Sequence, residues 1–181
     1  FREYFRASTT VINAATRPVV SRYLGNIETR LRSEGFQSEL LVMQSSGGVL
    51  TFDVAAEKPV FMVESGPAAG VIAAAMIGRQ LDKPNLISFD MGGTTAKASL
   101  IKDGAIETTS EYEVGGGGNV NRWIHGTGHP IRVPVIDLAE VSAGGGSIAW
   151  VDPGGSMRVG PKSSGAEPGP VCYGNGGTEP T

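Results

Sequence analysis

The sequence predicts a mixed α/β fold, and three observations support this. Apolar residues recur every four positions from Val11 to Leu31, which indicates an amphipathic helix. Two apolar runs, residues 85–89 and 96–101, flank a short glycine-containing turn and are typical of β-strands. The composition changes near residue 115, because 10 of the 27 glycines lie in residues 1–114 and 17 in residues 115–181. A folded, turn-rich region is therefore expected after a more regular first part.

Composition excludes several classes of function. The 181 residues suffice for one domain or two small ones, and 15 Lys and Arg against 18 Asp and Glu give a net charge of -3. This composition lacks the excess of Lys and Arg over Asp and Glu that is typical of a nucleic-acid-binding protein. The longest apolar run, residues 71–77, is far shorter than the ~20 residues that span a bilayer. One cysteine cannot form an internal disulfide, so we expect a soluble cytoplasmic protein without nucleic-acid or membrane partners.

The ends of the chain indicate a piece of a longer polypeptide. The sequence opens at Phe1 without a methionine or a signal-peptide pattern, and residues 179–181 carry no stop signal. A fragment of this kind is expected to hold only part of a site.

The first helix has recognisable boundaries. Ser8 or Thr9 is a suitable N-cap, and Gly35 is suited to end the helix. Pro18 either kinks the helix or begins a second one. The apolar stripe expected to face the core comprises Val11, Ala15, Val19, Tyr23, Ile27 and Leu31.

Shorter elements follow. Residues 40–43 are a strand candidate that ends in the small polar run 44–48, which is a common composition for a ligand rim, and a short helix is expected near residues 53–57. Residues 65–70 lead into an alanine-rich helix over residues 71–81. The small residues there allow another backbone to approach closely, either in helix-to-sheet packing or in contact with a nucleotide.

The run Asp90-Met-Gly-Gly-Thr-Thr lies between the two later strands and is suited to bind phosphate. Gly92 and Gly93 leave backbone N–H groups unobstructed, Thr94 and Thr95 add hydroxyl donors, and Asp90 is suited to hold Mg²⁺ or its water shell. The alternative is a tight glycine hairpin whose aspartate only caps the turn. The chain contains no P-loop motif.

A second glycine cluster occupies Gly144, Gly145, Gly146 and Ser147. With Ala149 it formally fits the dinucleotide fingerprint, which requires a helix directly after the glycines. Residues 148–152 and 157–159 instead predict a hairpin, so we reject that interpretation.

Three further residues carry reactive side chains. His125 and His129 have the spacing of a helical zinc pair, but the glycines and proline around them oppose a helix, so a loop without metal is predicted. Cys172 has no His or Cys nearby in the sequence, and a buried structural thiol is predicted.

Five motifs occur at residues 64–70, 90–95, 140–149, 159–161 and 165–174. In this order and with this spacing, they resemble the family of hydantoinase A, 5-oxoprolinase and acetone carboxylase. The resemblance covers essentially the whole chain.

The resemblance implies part of an actin-like ATPase fold of the hexokinase and RNase H type, with a mixed sheet and a glycine-rich β-hairpin region. Residues 1–83 would be a helical, lobe-connecting segment, and residues 84–181 the half that carries the phosphate hairpin and a Gly/Pro-rich end. Two such hairpins hold ATP in the fold, and only one occurs in this sequence. The fragment alone is therefore expected to be inactive.

The resemblance also implies a reaction and its participants. Members use ATP and Mg²⁺ to activate a carbonyl oxygen by phosphorylation, which opens a cyclic amide or prepares a ketone for carboxylation. A cyclic amide is our favoured substrate; a ketone carboxylase subunit and a non-catalytic nucleotide-binding module are the alternatives. A hydantoinase B-like subunit or domain is the expected partner.

The implied roles fall on the two glycine clusters. Asp90 would be catalytic and hold the metal, residues 92–95 would bind the phosphates, and residues 144–147 would lie near the nucleotide or the subunit boundary. This chain has Ala96 and Lys97 where the family often has an acidic residue shortly after the Gly-Gly-Thr. Lys97 would then either bring a positive charge toward the hairpin or point to solvent.

Overall fold

The computed structural model describes residues 3–115 and 128–181, and the predicted mixed α/β class is confirmed there. The helices are α1 (Glu3–Ser33), α2 (Phe52–Glu57) and α3 (Ser65–Gln80), with 3₁₀ helices at Pro59–Met62 and Val171–Tyr173. The strands are β1 (Leu41–Met43), β2 (Val49–Thr51), β3 (Leu86–Met91), β4 (Ala96–Lys102), β5 (Ala105–Ile106), β6 (Thr108–Thr109), β7 (Tyr112–Val114), β8 (His129–Ile131), β9 (Val135–Ile136), β10 (Ala139–Val141), β11 (Ser147–Val151) and β12 (Met157–Ser163).

The described residues form two compact units. The first comprises residues 3–86, 100–115 and 128–137, and the second comprises residues 87–99 and 138–181. Small antiparallel pairs form between β1 and β2, β6 and β9, β7 and β8, and β11 and β12. A further sheet has the order β10-β4-β3, and β5 also pairs with β4. Among the helices of the described ranges, none is both long and apolar enough to cross a membrane.

Helix α1 begins earlier than predicted and is continuous. It starts at Glu3, so the predicted cap at Ser8 or Thr9 is wrong, and it runs through Pro18, so of the two alternatives there the second helix does not form. Its end is confirmed at Gly35, whose φ of +89° suits glycine. The Phe36 N–H there bonds to the Leu31 carbonyl at 3.0 Å, as in a Schellman motif.

The predicted core-facing stripe of α1 is also largely wrong. Val11, Val19 and Tyr23 are at least 60% exposed, whereas Leu24, one position beyond Tyr23, is buried. The packed face is thus rotated by about one residue, or ~100° around the helix.

Polar contacts explain this rotation. The Asn13 side-chain amide donates to the Glu57 carbonyl, and the Ser21 hydroxyl donates to the Ala56 carbonyl, each at 3.1 Å. These bonds satisfy carbonyls at the end of α2, which would otherwise lack partners. A pattern of apolar residues carries no information about such contacts.

The core of the first unit forms around residues 131–135. Val60, Ile131, Val133 and Val135 are buried together. The apolar run 131–138 contributes to two strands, β8 and β9. Half-buried residues that pack against this cluster are Ile12, Phe61, Val63, Tyr112 and Val114.

The polar run 44–48, predicted as a ligand rim, is partly internal. Ser45 is fully buried; its hydroxyl donates to the Phe61 carbonyl at 2.7 Å and accepts from the Glu64 N–H at 3.2 Å. The Ser45 carbonyl accepts from the Ile136 N–H at 2.7 Å. Tyr112 donates its hydroxyl proton to the Glu64 carboxylate. Ser45 therefore joins its own segment to residues 61–64 and to Ile136 through bonds to their backbone groups.

We expect Ser45→Ala to lower the free energy of unfolding by ~1–3 kcal/mol, because the two bonds of the buried hydroxyl, to the Phe61 carbonyl and from the Glu64 N–H, would be lost. Ser46→Ala is the matched control, at a neighbouring half-buried serine, and should change stability by less than ~0.5 kcal/mol. Urea unfolding midpoints of the two variants provide the comparison. Equal midpoints would contradict a structural role for the buried hydroxyl.

The hairpin predicted over residues 148–159 is confirmed by the antiparallel pairing of β11 with β12. Its turn is organised by Asp152, whose carboxylate accepts N–H bonds from Ser156 at 3.0 Å and Gly154 at 2.9 Å and binds Arg158 at 2.8 Å. The Ser156 N–H, followed by Arg158, lowers the pKa of Asp152. A strand rather than a helix after the glycines confirms that the dinucleotide fingerprint does not apply.

This shift gives a pH dependence of defined sign. Because the pKa of Asp152 is lower in the folded state, its contribution to stability is fully present above the unfolded pKa of ~3.9 and is lost as the pH falls through the folded value. We expect Arg158→Ala to raise the pKa only partly toward its ordinary value, since the N–H bonds remain. An NMR titration of the Asp152 carboxyl carbon measures this, and complete reversion would show that the N–H groups contribute nothing.

Candidate functional site

The Asp90 motif forms the turn between two neighbouring strands of the second unit. β3 ends at Met91, β4 begins at Ala96, and the Gly92 N–H donates to the Thr95 carbonyl at 2.9 Å across the turn. Asp90 and Thr94 are exposed. The Asp90 and Thr94 side chains are therefore accessible in this unit and Thr95 is half-buried, whereas the Gly92 N–H, predicted to be unobstructed, is occupied by the bond across the turn.

The structure brings the two glycine clusters of the sequence into direct backbone contact. The Gly145 N–H donates to the Gly92 carbonyl at 2.9 Å, and the Gly146 N–H donates to the Gly93 carbonyl at 2.7 Å. A Cβ atom on Gly144 would lie 2.7 Å from the Gly92 carbonyl oxygen, a separation that real Cβ atoms do not show. Glycine is required at position 144 because the two backbones touch without any side chain between them.

The N–H groups of residues 144–147 all donate within the protein. Besides the two bonds to the turn, the Gly144 N–H donates to the Ser147 hydroxyl at 2.9 Å, and the Ser147 N–H donates to the Gly144 carbonyl at 3.0 Å. Ser147 is buried. Contact of this segment with a nucleotide stays a prediction, and the bonds present hold the segment against the turn.

These bonds also determine the direction of the N–H groups in the turn. In a planar trans peptide the carbonyl of one residue points opposite to the N–H of the next. Because the carbonyls of Gly92 and Gly93 face the glycine triplet, the N–H groups of Gly93 and Thr94 point away from it. Neither N–H has a hydrogen-bond partner within residues 3–115 and 128–181. Two adjacent, similarly directed N–H groups are suited to bind an anion.

Asp90 supplies the only carboxylate of this turn, whose residues are 90–95. Within the described ranges, no group of three or more His, Cys, Asp or Glu side chains is arranged to hold a metal. Mg²⁺ is usually held by one or two carboxylates together with phosphate oxygens and waters. An exposed aspartate in the same turn as the Gly93 and Thr94 N–H groups supplies one such carboxylate.

Lys97 pairs with Glu140 on the neighbouring strand. The two residues are opposite each other in the β4–β10 register, the Nζ–Oε1 distance is 3.8 Å, and their side chains are 15% and 21% exposed. An opposite-charge pair across two strands contributes ~0.2–1 kcal/mol. The pair therefore helps to hold β10, which leads into the glycine triplet, beside β4, which follows the turn.

The remaining candidates lie elsewhere. Cys172 is exposed on a 3₁₀ helix that has no buried residue, so the predicted buried thiol is wrong. His129 begins β8, opposite Val114, rather than lying in a loop. His125 lies outside the described residues.

Ser164, which is not predicted from the sequence, also contacts the glycine triplet. Its N–H and its hydroxyl both donate to the Gly146 carbonyl, at 2.8 Å and 3.1 Å. Ser164 lies in the Gly/Pro-rich segment, far along the chain from the turn, and no motif marks it. Only the folded backbone reveals this contact.

Comparison with known families supports the resemblance found in the motifs. Residues 6–181 match the model of the hydantoinase/oxoprolinase family. The chain belongs to this family. The chain spans only about a quarter of the length of two of its relatives, protein MJ0964 and the caprolactamase subunit alpha.

Three relatives of this hydantoinase/oxoprolinase chain are informative. Protein MJ0964 of Methanocaldococcus jannaschii is 56% identical over all of the chain, which spans 27% of that protein. The caprolactamase subunit alpha of Pseudomonas jessenii is 40% identical over 99% of the chain, or 24% of the subunit. The acetophenone carboxylase gamma subunit of Aromatoleum aromaticum is 32% identical over 99% of the chain, or 23% of the subunit.

A solved structure shows the same fold. The crystal structure of the ATP-dependent caprolactamase from Pseudomonas jessenii matches the whole chain with a TM-score of 0.75 at 39% identity, and the chain covers 24% of it. The mixed α/β arrangement is therefore shared with this family member.

We expect Gly144→Ala to separate the triplet from the turn, because its Cβ would meet backbone atoms that cannot move aside. The cost of such overpacking is ~1–3 kcal/mol. Gly145→Ala is the matched control, since its Cβ would lie at an ordinary 3.7 Å from the Gly92 carbonyl oxygen. Hydrogen exchange of the Gly146 N–H should accelerate in the first variant and stay slow in the second. Slow exchange in both would contradict the requirement for glycine at position 144.

Proposed function

We propose that this chain supplies a phosphate-binding turn of an ATP-dependent enzyme that hydrolyses cyclic amides. The observation that carries the proposal is the pair of N–H groups at Gly93 and Thr94, which point away from the triplet that holds their neighbouring carbonyls. Membership in the hydantoinase/oxoprolinase family and the likeness to an ATP-dependent caprolactamase support it.

Each residue of the turn has a role in this proposal. The N–H groups of Gly93 and Thr94, with the hydroxyls of Thr94 and Thr95, would bind phosphate oxygens. Asp90 would hold Mg²⁺ directly or through its waters, and Mg²⁺ when bound neutralises phosphate charge. Residues 144–147 would fix the turn in the orientation that these contacts require.

The proposed reaction activates the amide before water attacks it. The amide oxygen attacks the γ-phosphorus of ATP, the bond from that phosphorus to the bridging oxygen breaks, and ADP leaves with that oxygen. Water then adds to the activated carbon, and the carbon–nitrogen bond breaks, so that the amine leaves with a proton and an acyl phosphate remains. A second water cleaves the acyl phosphate and releases the carboxylic acid and phosphate. Such a transfer depends mainly on positioning and charge neutralisation, which rigid backbone donors provide.

The proposal also includes parts of the full-length protein that lie outside this chain. We assign the chain to an actin-like ATPase lobe, in which a second phosphate-binding turn from the same polypeptide completes the site. A partner subunit is proposed because the caprolactamase relative is named as a subunit alpha, and the cytoplasm is the proposed location.

The second candidate is ATP-dependent carboxylation of a ketone. It is favoured by the acetophenone carboxylase relative, which aligns over almost the whole chain. The same turn would serve either reaction, because both begin with phosphorylation of a carbonyl oxygen.

We expect Asp90→Ala in the full-length enzyme to lower kcat by at least ~100-fold without unfolding it, because the phosphates would lose a group that holds their counter-ion. The assay measures ADP release with caprolactam, 5-oxoproline or hydantoin, and separately with acetophenone and bicarbonate. Asp53→Ala, at an exposed aspartate in α2, is the matched control and should retain wild-type turnover.

The outcomes distinguish the candidates. ADP release that depends on a cyclic amide supports the hydrolase, and release that depends on the ketone and bicarbonate supports the carboxylase. Wild-type turnover of Asp90→Ala would remove Asp90 from the site. ATP binding without turnover on any of these compounds would favour a non-catalytic nucleotide-binding module.

A further inference from the structure

A chain of hydrogen bonds connects Ser164 to the turn. The Ser164 N–H and hydroxyl hold the Gly146 carbonyl, at 2.8 Å and 3.1 Å, and the Gly146 N–H holds the Gly93 carbonyl at 2.7 Å. The Gly93 carbonyl shares a planar peptide with the Thr94 N–H. The orientation of that N–H is therefore linked to Ser164 through one intervening residue.

We infer that Ser164 is a positioning residue for the phosphates of ATP, an inference that rests on the proposed function. Ser164 bonds to Gly146 and acts on the turn only through it. The Gly146 carbonyl and the Gly146 N–H flank a single Cα, so the bonds from Ser164 restrict the backbone rotation of the residue whose N–H holds the Gly93 carbonyl. Releasing that carbonyl lets its peptide rotate, and the Thr94 N–H then loses its fixed direction.

Tight packing at Gly146 makes the connection stiff. A Cβ on Gly146 would lie 2.9 Å from the Gly93 carbonyl oxygen and 3.2–3.3 Å from the hydroxyls of Ser163 and Ser164. Gly146 thus fills the space between the turn and the serines, and a shift of Ser164 is transmitted to the turn. Close-packed groups transmit strain in this way.

The neighbouring serine has a different role. The Ser163 hydroxyl accepts from the Gly165 N–H at 3.2 Å, which closes its own local turn. The Ser164 carbonyl accepts from the Gly169 N–H at 3.3 Å. The Gly/Pro-rich segment therefore positions Ser164, and Ser163 provides a control with the same side chain.

The test measures binding of Mg²⁺–AMP-PNP to the full-length protein by calorimetry. We expect Ser164→Ala to weaken binding by ~3–10-fold, because one of two donors to Gly146 is lost, while the melting temperature stays within about 2 °C of the wild type. Ser164→Thr keeps the hydroxyl and should bind within 2-fold of the wild type, as should Ser163→Ala.

The results separate this inference from the proposed function. Unchanged binding by Ser164→Ala, or equal weakening in Ser164→Thr or Ser163→Ala, would overturn the positioning role alone. A wild-type protein that does not bind Mg²⁺–AMP-PNP at millimolar concentration would overturn the proposed function, and the inference with it. Weakened binding in Ser164→Ala with rescue by threonine supports both.

Discussion

The second unit depends on one backbone contact, in which the N–H groups of Gly145 and Gly146 bind the carbonyls of Gly92 and Gly93. Each bond alone contributes ~0.5–1.5 kcal/mol, which is little compared with burial of a large side chain. The contact matters because it fixes the direction in which the peptide groups of the turn point. By fixing two carbonyls, the contact orients the two N–H groups of the same peptides, and no side chain of the turn could do so as rigidly.

The glycines of this contact differ in why they are needed. At Gly144 the constraint is steric, since a Cβ would collide with three backbone atoms of the turn. At Gly93 there is open space around a Cβ position, so no steric contact with the described residues requires glycine there. A composition rich in glycine, which suggests flexibility, here produces close and well-defined packing.

The sequence predicted local features well where local physics determines them. The helix end at Gly35, the hairpin of β11 and β12, and the strands on either side of the Asp90 motif follow from glycine conformation, turn residues and apolar runs. The face of α1 was predicted wrongly, because bonds from polar residues such as Asn13 to α2 decide which side packs. Cys172 was predicted to be buried from residue type alone, and its short surface helix exposes it.

The contact between the two glycine clusters could not be predicted for a related reason. Each cluster was identified as a candidate by its own residues, but their pairing depends on the β4–β10 register, in which Lys97 is opposite Glu140. Ser164 has no signal at all in the sequence, since a serine in a Gly/Pro-rich segment is ordinary. Long-range backbone pairing is specified by the whole fold rather than by any short motif.

The geometry of the turn also sets what it can contribute to the proposed reaction. Two N–H groups and one carboxylate-bound cation compensate only part of the charge of a triphosphate, so a second set of donors has to complete the site. The chain spans about a quarter of protein MJ0964 and of the caprolactamase subunit, which leaves most of their length available for that set. On this view the turn is made rigid in advance because it must meet the phosphates at a fixed angle while the other donors approach from elsewhere in the protein.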